Sequence, residues 1–531
     1  MSDGRKELET ILWEGADVLR SKMDANEYKD YLLSFVFYKY LSDSYLVKAF
    51  DLLNDCEPNS IEEAQRAYEE AYESEDAKDL LDDLKDSCRY VIEPKLTFFA
   101  LAEQVRNSKF KREDLEKAFN DIETSDKIFN DLFADVDLYS SRLGVNDTKQ
   151  SETVVELLKV INKADILHTD GDVLGNAYEY LIGEFASETG KKAGEFYTPS
   201  GPAEILTRIA IMGQEEKRGL LVYDPCCGSA SMLLDARKFT SQPAYVKYFG
   251  QELMMSTYNL ARMNMFLHGI APENQVIKNG DTLDADWPTT EETEFDMVVM
   301  NPPYSANWSA KPGFLSDSRF SDYGVLAPKS KADYAFLLHG FYHLKPTGTM
   351  GIVLPHGVLF RGGTEGKIRQ KLLENGSIYA VIGLPANLFY NTGIPTCIMI
   401  LKKQRPGRDV LFIDASKLSE KKKTQNVMNA EHIERVLELY RNREDVEKEA
   451  HLATYDEIKQ NDFNLNIPRY VDTFEEEEAI NLADVNAEIG EIDKGIAETN
   501  EKLLSMLGQL RSDDEEIMRS MKEFIKLMGG E

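Results

Sequence analysis

"LLVYDPCCGSASMLLDARK", residues 220 to 238, sets the fold class. A short apolar run ends on an acid, Asp224, and a proline turns the chain. Cys226, Cys227, Gly228, Ser229, Ala230 and Ser231 follow, all small, before an amphipathic segment begins. Small residues let backbone amides come close to a ligand, and a helix starting there points its N-terminus at the same place. Alone, such a loop is weak evidence for a nucleotide-like ligand. Its weight depends on its surroundings.

From about residue 166 onward, short apolar runs alternate with amphipathic segments. "GLLVYD", "YVKYFGQE", "QVIKNGD", "FDMVVMN", "TMGIVLP", "SIYAVIGLP" and "CIMILKK" read as strands. "MMSTYNLARMNMFLHG", "DYAFLLHGFYHL" and "GKIRQKLLENG" read as helices between them. This alternation predicts an α/β fold built from βαβ units around a mostly parallel sheet. Only "ANLFYNTGIPT" separates the last two runs, too little for a crossover helix, so those strands are expected to pair antiparallel.

In an open parallel sheet, ligands collect beyond the carboxyl ends of the strands, near the point where strand order reverses. Three consecutive runs finish in an acid there: Asp224, Glu252 and Asp281. A carboxylate at Glu252 can take both hydroxyls of a ribose, and one at Asp281 can accept from an adenine amino group. Each acid alone would serve as well as a helix cap. Three at one edge point to an adenosine site. The chain has no lysine-bearing phosphate loop, which makes ATP the weaker candidate.

The fourth run ends in "VVMNPPYSANW", residues 298 to 308. Asn301 offers a carbonyl acceptor and an NH2 donor. Pro302 and Pro303 stiffen the turn and aim a backbone carbonyl outward. The Asn301 side-chain oxygen and the Pro302 carbonyl can therefore grip one exocyclic NH2 group. Such a grip draws the nitrogen lone pair out of conjugation and toward an electrophile. Tyr304 supplies a flat face on which a base can stack.

Outside this region the chain changes character. The first 165 or so residues read as helical; "ANEYKDYLLSFVFYKYLSDSY" spaces Tyr28, Tyr31, Leu32, Phe35, Tyr38 and Leu41 along one apolar face. The acidic stretch "EEAQRAYEEAYESEDAKDLLDDLKDS" reads as solvated helix surface. After about residue 476, Leu482, Val485, Ile489, Ile492, Ile496, Thr499, Leu503, Met506 and Leu510 recur in steps of three and four. That is a heptad seam, and a seam wants a partner helix, in this chain or in another.

Bulk properties limit the function classes. At 531 residues the chain needs more than one core. Hydrophobic residues make up 42%, which argues against global disorder. No apolar run reaches the ~20 residues that span a bilayer, and the charged N-terminus does not read as a signal peptide. Five scattered cysteines fit a reducing cytoplasm and offer no metal-ligand spacing, so no metal site is expected. The formal net charge is −32, the opposite of what a chain gripping DNA by itself carries.

Taken in order, "DPCCGS", Glu252, Asp281 and "NPPY" resemble the S-adenosylmethionine-dependent methyltransferases that act on adenine N6. "GEFYTP" upstream resembles their cofactor-binding stretch, and the order is then that of the gamma class. "EYKDYLLSFVFYKYLSD", "GNAYEYLIGEFA", "ADYAFLLHGFYHL" and "NLNIPRYV" are similar, more narrowly, to the methyltransferase (M) subunit of type I restriction–modification systems. The resemblance covers nearly the whole chain and is most specific from about 165 to 405.

The resemblance implies an N-terminal helical domain (1–165), a Rossmann-like methyltransferase domain (166–475) and a C-terminal coiled-coil-like tail for subunit contact (476–531). It implies Glu195, Phe196, Tyr197, Thr198, Pro199, Ser200, Asp224, Gly228, Ser229, Ala230, Ser231, Glu252, Asp281 and Asn301 as the S-adenosyl-L-methionine site. Asn301, Pro302, Pro303 and Tyr304 are then the catalytic motif. Phe196 and Tyr197 pack either on the cofactor or on the sheet. The family often has glycine where this chain has Ala230 and Ser231, which implies tighter packing beside the methionine moiety. His356 and Arg361 either touch substrate or pack locally, and Lys329 and Lys331 are candidate phosphate contacts.

The implied partners are a DNA-reading specificity (S) subunit, a second copy of this chain, a translocating nuclease (R) subunit and double-stranded DNA with a flipped adenine. Charge and length agree with a separate reader. Extrusion of a base needs a clamp on the duplex, and little sequence remains after the last strand to build one. Methyl transfer in line from sulfonium to N6, without a covalent enzyme intermediate, is the expected chemistry. Three alternatives stay open: a stand-alone DNA methyltransferase, a protein glutamine N-methyltransferase, and a catalytically dead scaffold.

Overall fold

A computed structural model describes residues 3–165, 171–188, 197–287, 293–389, 393–422, 425–473 and 482–529. The chain forms two compact units, Met1–Thr473 and Phe474–Glu531.

The first unit begins with eight helices: α1 (Asp3–Arg20), α2 (Ala25–Asn54), α3 (Ile61–Tyr72), α4 (Ala77–Cys88), α5 (Phe98–Arg106), α6 (Arg112–Ser125), α7 (Asp147–Ile161) and α8 (Gly171–Glu188). The apolar face read from α2 is buried as expected: Tyr28, Tyr31, Leu32, Phe35, Tyr38 and Leu41 are all at most 5% exposed, and Phe37 and Tyr45 are buried with them. The acidic segment over α3 and α4 is mostly solvated, but Tyr68 and Leu84 turn inward from it.

Nine strands form the central sheet: β1 (Leu221–Asp224), β2 (Lys247–Glu252), β3 (Gln275–Asn279), β4 (Phe295–Met300), β5 (Leu344–Pro355), β6 (Ile378–Gly383), β7 (Thr396–Lys402), β8 (Val410–Asp414) and, after the short ribbon β9 (Glu420–Lys421) and β10 (Asn426–Val427), β11 (Ala450–Ala453). The order is β11-β8-β6-β7-β5-β4-β1-β2-β3. Strands β5, β4, β1, β2 and β3 run parallel, whereas β7 is antiparallel to both β5 and β6. The antiparallel pairing of β6 with β7 is the one read from the short loop between them. β8 and β11 were not anticipated; β8 pairs parallel with β6 and antiparallel with β11 at the sheet edge.

Alternate residues of each strand feed the two faces, as a period of two requires. Val222, Met297, Val299, Ile398 and Ile400 join one core, and Tyr223, Val298, Met300, Met399 and Leu401 join the other. Helices α9 (Ser200–Ile211), α10 (Ser231–Lys238), α11 (Met255–Leu267), α12 (Asp333–Tyr342), α13 (Gly363–Glu374), α14 (Ala430–Asn442) and α15 (Tyr455–Gln460) complete the layers. Helix α11 also belongs to the N-terminal helical core, through Leu260, Met263 and Leu267. Its Asn259 and Arg262 donate to the carbonyls of Asp131 and Asn130, at 2.8 Å each. The strand ends thus sit on a scaffold shared with the N-terminal helices.

The second unit carries the seam on one helix and adds another beyond it. It holds two helices, α16 (Leu482–Gln509) and α17 (Glu515–Leu527). Asp514 accepts from the amides of Glu516 and Ile517, which starts a new helix beyond the end of the seam at Leu510. The seam residues are exposed, Leu482 at 72% and Ile492 at 55% among them.

Helix α12 packs directly over β4 because Gly340 carries no side chain. A Cβ there would collide with Met300 Cε and stand 3.2 Å from Val298 Cγ1. Gly340→Val is expected to overpack this interface and cost about 1–3 kcal/mol, read as a lowered midpoint in urea denaturation.

Candidate active site

The parallel strands deliver the predicted residues to one edge. Asp224 is the last residue of β1 and Glu252 the last of β2; Asn301 follows β4 directly, and Asp281 stands two residues beyond β3. Asp224 is fully buried. Its Oδ1 accepts from the Cys226 amide at 2.9 Å, while Oδ2 has no hydrogen-bond partner among the described residues. Burial pushes the Asp224 carboxyl up to about 8; the Cys226 amide opposes this and the neighbouring Glu252 charge adds to it. Glu252 accepts from Met254 N at 2.8 Å and Gly228 N at 3.2 Å. Burial raises its pKa against those amides. Asp281 Oδ1 accepts from Leu283 N at 2.9 Å.

The small-residue loop works differently from the simple expectation of amides aimed at a ligand. Cys226 N bonds Asp224 Oδ1, Cys227 N bonds Gln251 O at 3.0 Å, Gly228 N bonds Glu252, and Ala230 N bonds Cys227 O at 2.7 Å. These amides lock the loop to the strand ends, so they form no cradle for a phosphate. The arrangement suits an adenosine ligand without one. Ala230 adopts φ 65°, in the left-handed region where a glycine is at ease. Both it and Cys227 are buried, and burial pushes the thiols of Cys226 and Cys227 up, consistent with loop fillers.

Asn301 is 3% exposed and is held at both ends of its amide. Its Nδ2 donates to Thr198 Oγ1 at 3.0 Å, and its Oδ1 accepts from the Tyr304 hydroxyl at 2.8 Å. The sequence suggests Tyr304 as a stacking platform. Here its ring stands edge-on to Phe389, 6.1 Å between centroids, and its hydroxyl sits on the carbonyl expected to grip a target amine. Next along the chain, Ser305 at φ 52° gives its amide to buried Asp333 at 2.8 Å, and Asp333 is paired with Arg361 at 2.7 Å. The stiff turn is thus fixed from behind as well as by its two prolines.

Glu252, Asp281, Asn301 and Pro303 line one cavity of about 310 Å³ together with Cys226, Gln251, Leu253, Met254, Thr282, Ala306 and Phe336. Leu253 and Met254, at 63% and 53% exposed, and Phe336 on α12 give it apolar walls that suit a flat ring. Sequence reading passed over these three. Leu253 and Met254 do follow a strand-ending acid, which is the one signal that could have found them. Gln251 Oε1 and the Pro225 carbonyl lie 3.0 and 2.6 Å from the Thr282 hydroxyl, tying the walls together.

Behind the Asp281 wall lies a buried polar network. Arg319 donates to the carbonyls of Thr282 and Leu283, to Asp317 and to His339 Nδ1. His339 Nε2 meets the Tyr223 hydroxyl at 2.8 Å, and His343 Nε2 meets Asp286 at 2.9 Å. Asp286, His339 and His343 bring their ligand atoms within 4.8 Å of one another, a composition a metal could use. Arg319 already supplies the positive charge there, and each imidazole nitrogen is engaged. Burial drives the His339 pKa well down, so it serves the network neutral.

Glu195 and Phe196 lie outside the described residues. Tyr197 packs on the N-terminal helical core with its ring against Gly183, an alternative the sequence did not suggest. Pro199 and Ser200 start α9. Ser229 and Ser231 hydroxyls are 2.9 Å apart, and Asn264 holds the Ser229 carbonyl. His356 bonds the Thr396 carbonyl, and Arg361 is committed to Asp333, so both are occupied internally. Lys329 is exposed.

Comparison with known proteins gives a concordant result. The family described as N-6 DNA Methylase matches residues 169–479, and the HsdM N-terminal domain matches residues 8–161. The chain is 35% identical to the type I restriction enzyme MpnII methylase subunit of Mycoplasma pneumoniae, over 97% of this chain and 98% of that one. It is 30% identical to the MjaVII methylase subunit of Methanocaldococcus jannaschii, over 94% and 83% of the two chains. Among solved structures, the type I restriction-modification system methyltransferase subunit from Streptococcus thermophilus is 57% identical and superposes with a TM-score of 0.87. That match covers 88% of this chain and all of the other.

Asp224 provides a pH-dependent test of the buried edge. Its folded pKa, about 8, lies above that of an exposed aspartate, about 4. The folded chain therefore keeps a proton that the unfolded chain releases. This contribution to stability is complete below about pH 4 and is lost as pH rises toward about 8. Ligand-free wild type is expected to lose melting temperature across that window more steeply than Asp224→Asn, which stays neutral throughout. Parallel slopes in the two proteins would contradict the assignment.

Proposed function

The chain belongs to the N-6 DNA Methylase family, among the type I restriction enzyme methylase subunits, and from that premise we propose that it is the modification subunit of a type I restriction–modification complex, methylating adenine N6 in DNA. The observation that carries this reading is Asn301: a buried amide, fixed at both ends, at the mouth of a cleft lined by Glu252 and Asp281.

The residues present fit S-adenosyl-L-methionine. Asp224 Oδ2, buried and unpartnered among the described residues, suits a cationic group. Glu252 retains lone pairs for ribose hydroxyls, Asp281 faces the cavity, and Leu253, Met254 and Phe336 suit the adenine ring. When bound, the cofactor supplies a methyl group on a sulfonium, an electrophile for N6. Tyr304 leaves Asn301 Oδ1 as the flipped base arrives and stacks on that base. Asn301 Oδ1 and the Pro302 carbonyl then accept hydrogen bonds from the two N6–H groups and localise the nitrogen lone pair. The electron pair of the broken S–CH3 bond stays on sulfur, and the methylated nitrogen releases one proton to water. Catalysis is mainly positioning, and no side chain of the motif becomes covalently modified.

The partners follow from charge and from the tail. A formal net charge of −32 leaves the clamp and the reading of the duplex to another subunit. We assign the exposed seam of α16, together with Ile517, Phe524 and Leu527 of α17, to helices of the specificity subunit. Within the whole complex we place a second copy of this chain and a restriction subunit. The division 1–165, 166–475 and 476–531 is then helical platform, catalytic domain and assembly tail. Five free cysteines and the lack of a membrane-crossing helix among the described residues support a cytoplasmic setting.

Label from S-adenosylmethionine is expected on adenine N6 of duplex DNA when the chain is co-expressed with its specificity subunit. Asn301→Ala in the same complex should lower the rate by at least about a hundredfold while cofactor binding persists. Label on a protein glutamine instead would refute the reading. For the tail, Ile489→Glu with Ile496→Glu is expected to abolish co-purification with the specificity subunit and leave cofactor affinity within about twofold. Retained assembly would move the interface elsewhere.

A further inference from the structure

The Thr198 hydroxyl accepts from Asn301 Nδ2 at 3.0 Å, and both residues are buried. This contact decides which end of the amide meets the target. With Nδ2 committed to Thr198, the carbonyl oxygen is left facing Tyr304, where it accepts the tyrosine hydroxyl at 2.8 Å. The reverse orientation would present an NH2 group to an incoming amine, donor against donor, and nothing would draw on the nitrogen lone pair.

A hydroxyl can read an amide either way round, since it donates as well as accepts. The Tyr304 hydroxyl has the same ambiguity. The orientation of the amide is therefore settled by where the Thr198 hydrogen goes. Acting as acceptor toward Asn301, Thr198 must direct its own hydrogen to a second acceptor. Thr198 opens the segment Thr198–Pro199–Ser200 that leads into α9, the stretch assigned above to the cofactor.

From this geometry we infer that Thr198 is a positioning residue that couples cofactor occupancy to the orientation of the Asn301 amide. The inference rests on the adenine-methylating reading given above. An acceptor group on the bound cofactor takes the Thr198 hydrogen, Oγ1 is then obliged to accept from Nδ2, and Asn301 Oδ1 is held ready for the base. Without cofactor the hydroxyl turns, the amide samples both orientations, and the base is held less well.

Linkage makes this measurable, because cofactor must then tighten the hold on DNA and DNA must tighten the hold on cofactor by the same factor. Full-length chain in complex with its specificity subunit would be compared with Thr198→Ser, which keeps the hydroxyl, and Thr198→Ala, which removes it; Thr198→Val is a shape control. Duplex affinity would be measured with and without the demethylated product of the cofactor, and methyl transfer in a single turnover at saturating cofactor. Wild type and Thr198→Ser are expected to bind target duplex at least about fivefold more tightly when the product is present. Thr198→Ala and Thr198→Val should lose that tightening to within about twofold, and their single-turnover rate should fall about tenfold, the size of one hydrogen bond.

Equal tightening and equal rates in Thr198→Ser and Thr198→Ala would overturn the inference. So would a loss confined to cofactor affinity, with the single-turnover rate unchanged, which would make Thr198 a cofactor ligand and nothing more. A wild-type complex that transfers no methyl group to adenine overturns the underlying reading and the inference with it. An active wild type beside an unaffected Thr198→Ala overturns the inference alone.

Discussion

Parallel pairing of β4, β1, β2 and β3 is the constraint on which the rest of this structure depends. The register sets Asp224 opposite Gly250 and Glu252 opposite Asn279, so the chain must turn at nearly the same height on neighbouring strands. Strand order reverses beside β1, which has β2 on one side and β4 on the other. The segments leaving β1 and β4 part there, and a crevice opens between Cys226 and Asn301. No loop needs to be long or mobile to build it.

The same constraint concentrates acids in a dry place. Burial disfavours ionisation of both Asp224 and Glu252, and the Glu252 charge pushes Asp224 up further. Amides of Cys226, Gly228 and Met254 offset part of this penalty. Asp224 Oδ2 receives no such help within the described residues. An edge of this kind is more comfortable with a cationic ligand than without one. The acidic composition of the chain as a whole, by contrast, belongs to its surface, where charges on α3, α4 and α16 are solvated.

Features whose chemistry is local were legible in the sequence. An acid closing an apolar run, or an asparagine before two prolines, announces itself without knowledge of the fold. Leu253, Met254 and Phe336 were not legible as cleft walls, because an apolar side chain looks the same whether it meets core or ligand. Tyr304 was assigned a face to offer, but its orientation depends on Phe389, far along the chain, and on the hydrogen-bonding state of Asn301. β8 was overlooked although its "VLFID" resembles the runs that were recognised. β11 is four residues long and partly exposed, with no pattern to find. In the tail, the seam ends at Leu510 with α16, and α17 begins on a capping aspartate that a heptad count does not reveal.

Arg319 gives the segment after the NPPY motif a second meaning. Ala332 N bonds Ala306 O at 2.9 Å, closing residues 306–332 into a loop with its own interior, in which Trp308 stacks on Phe314 at 5.5 Å. From inside that loop Arg319 reaches back to the carbonyls of Thr282 and Leu283. The loop that follows the NPPY motif and the Asp281 wall of the cleft are therefore one mechanical piece. Drift in the length of this loop is not free, since a residue gained or lost before Arg319 tugs on the cleft. A loop transplanted from a relative would have to bring its own staple, or inherit a cleft shaped for another.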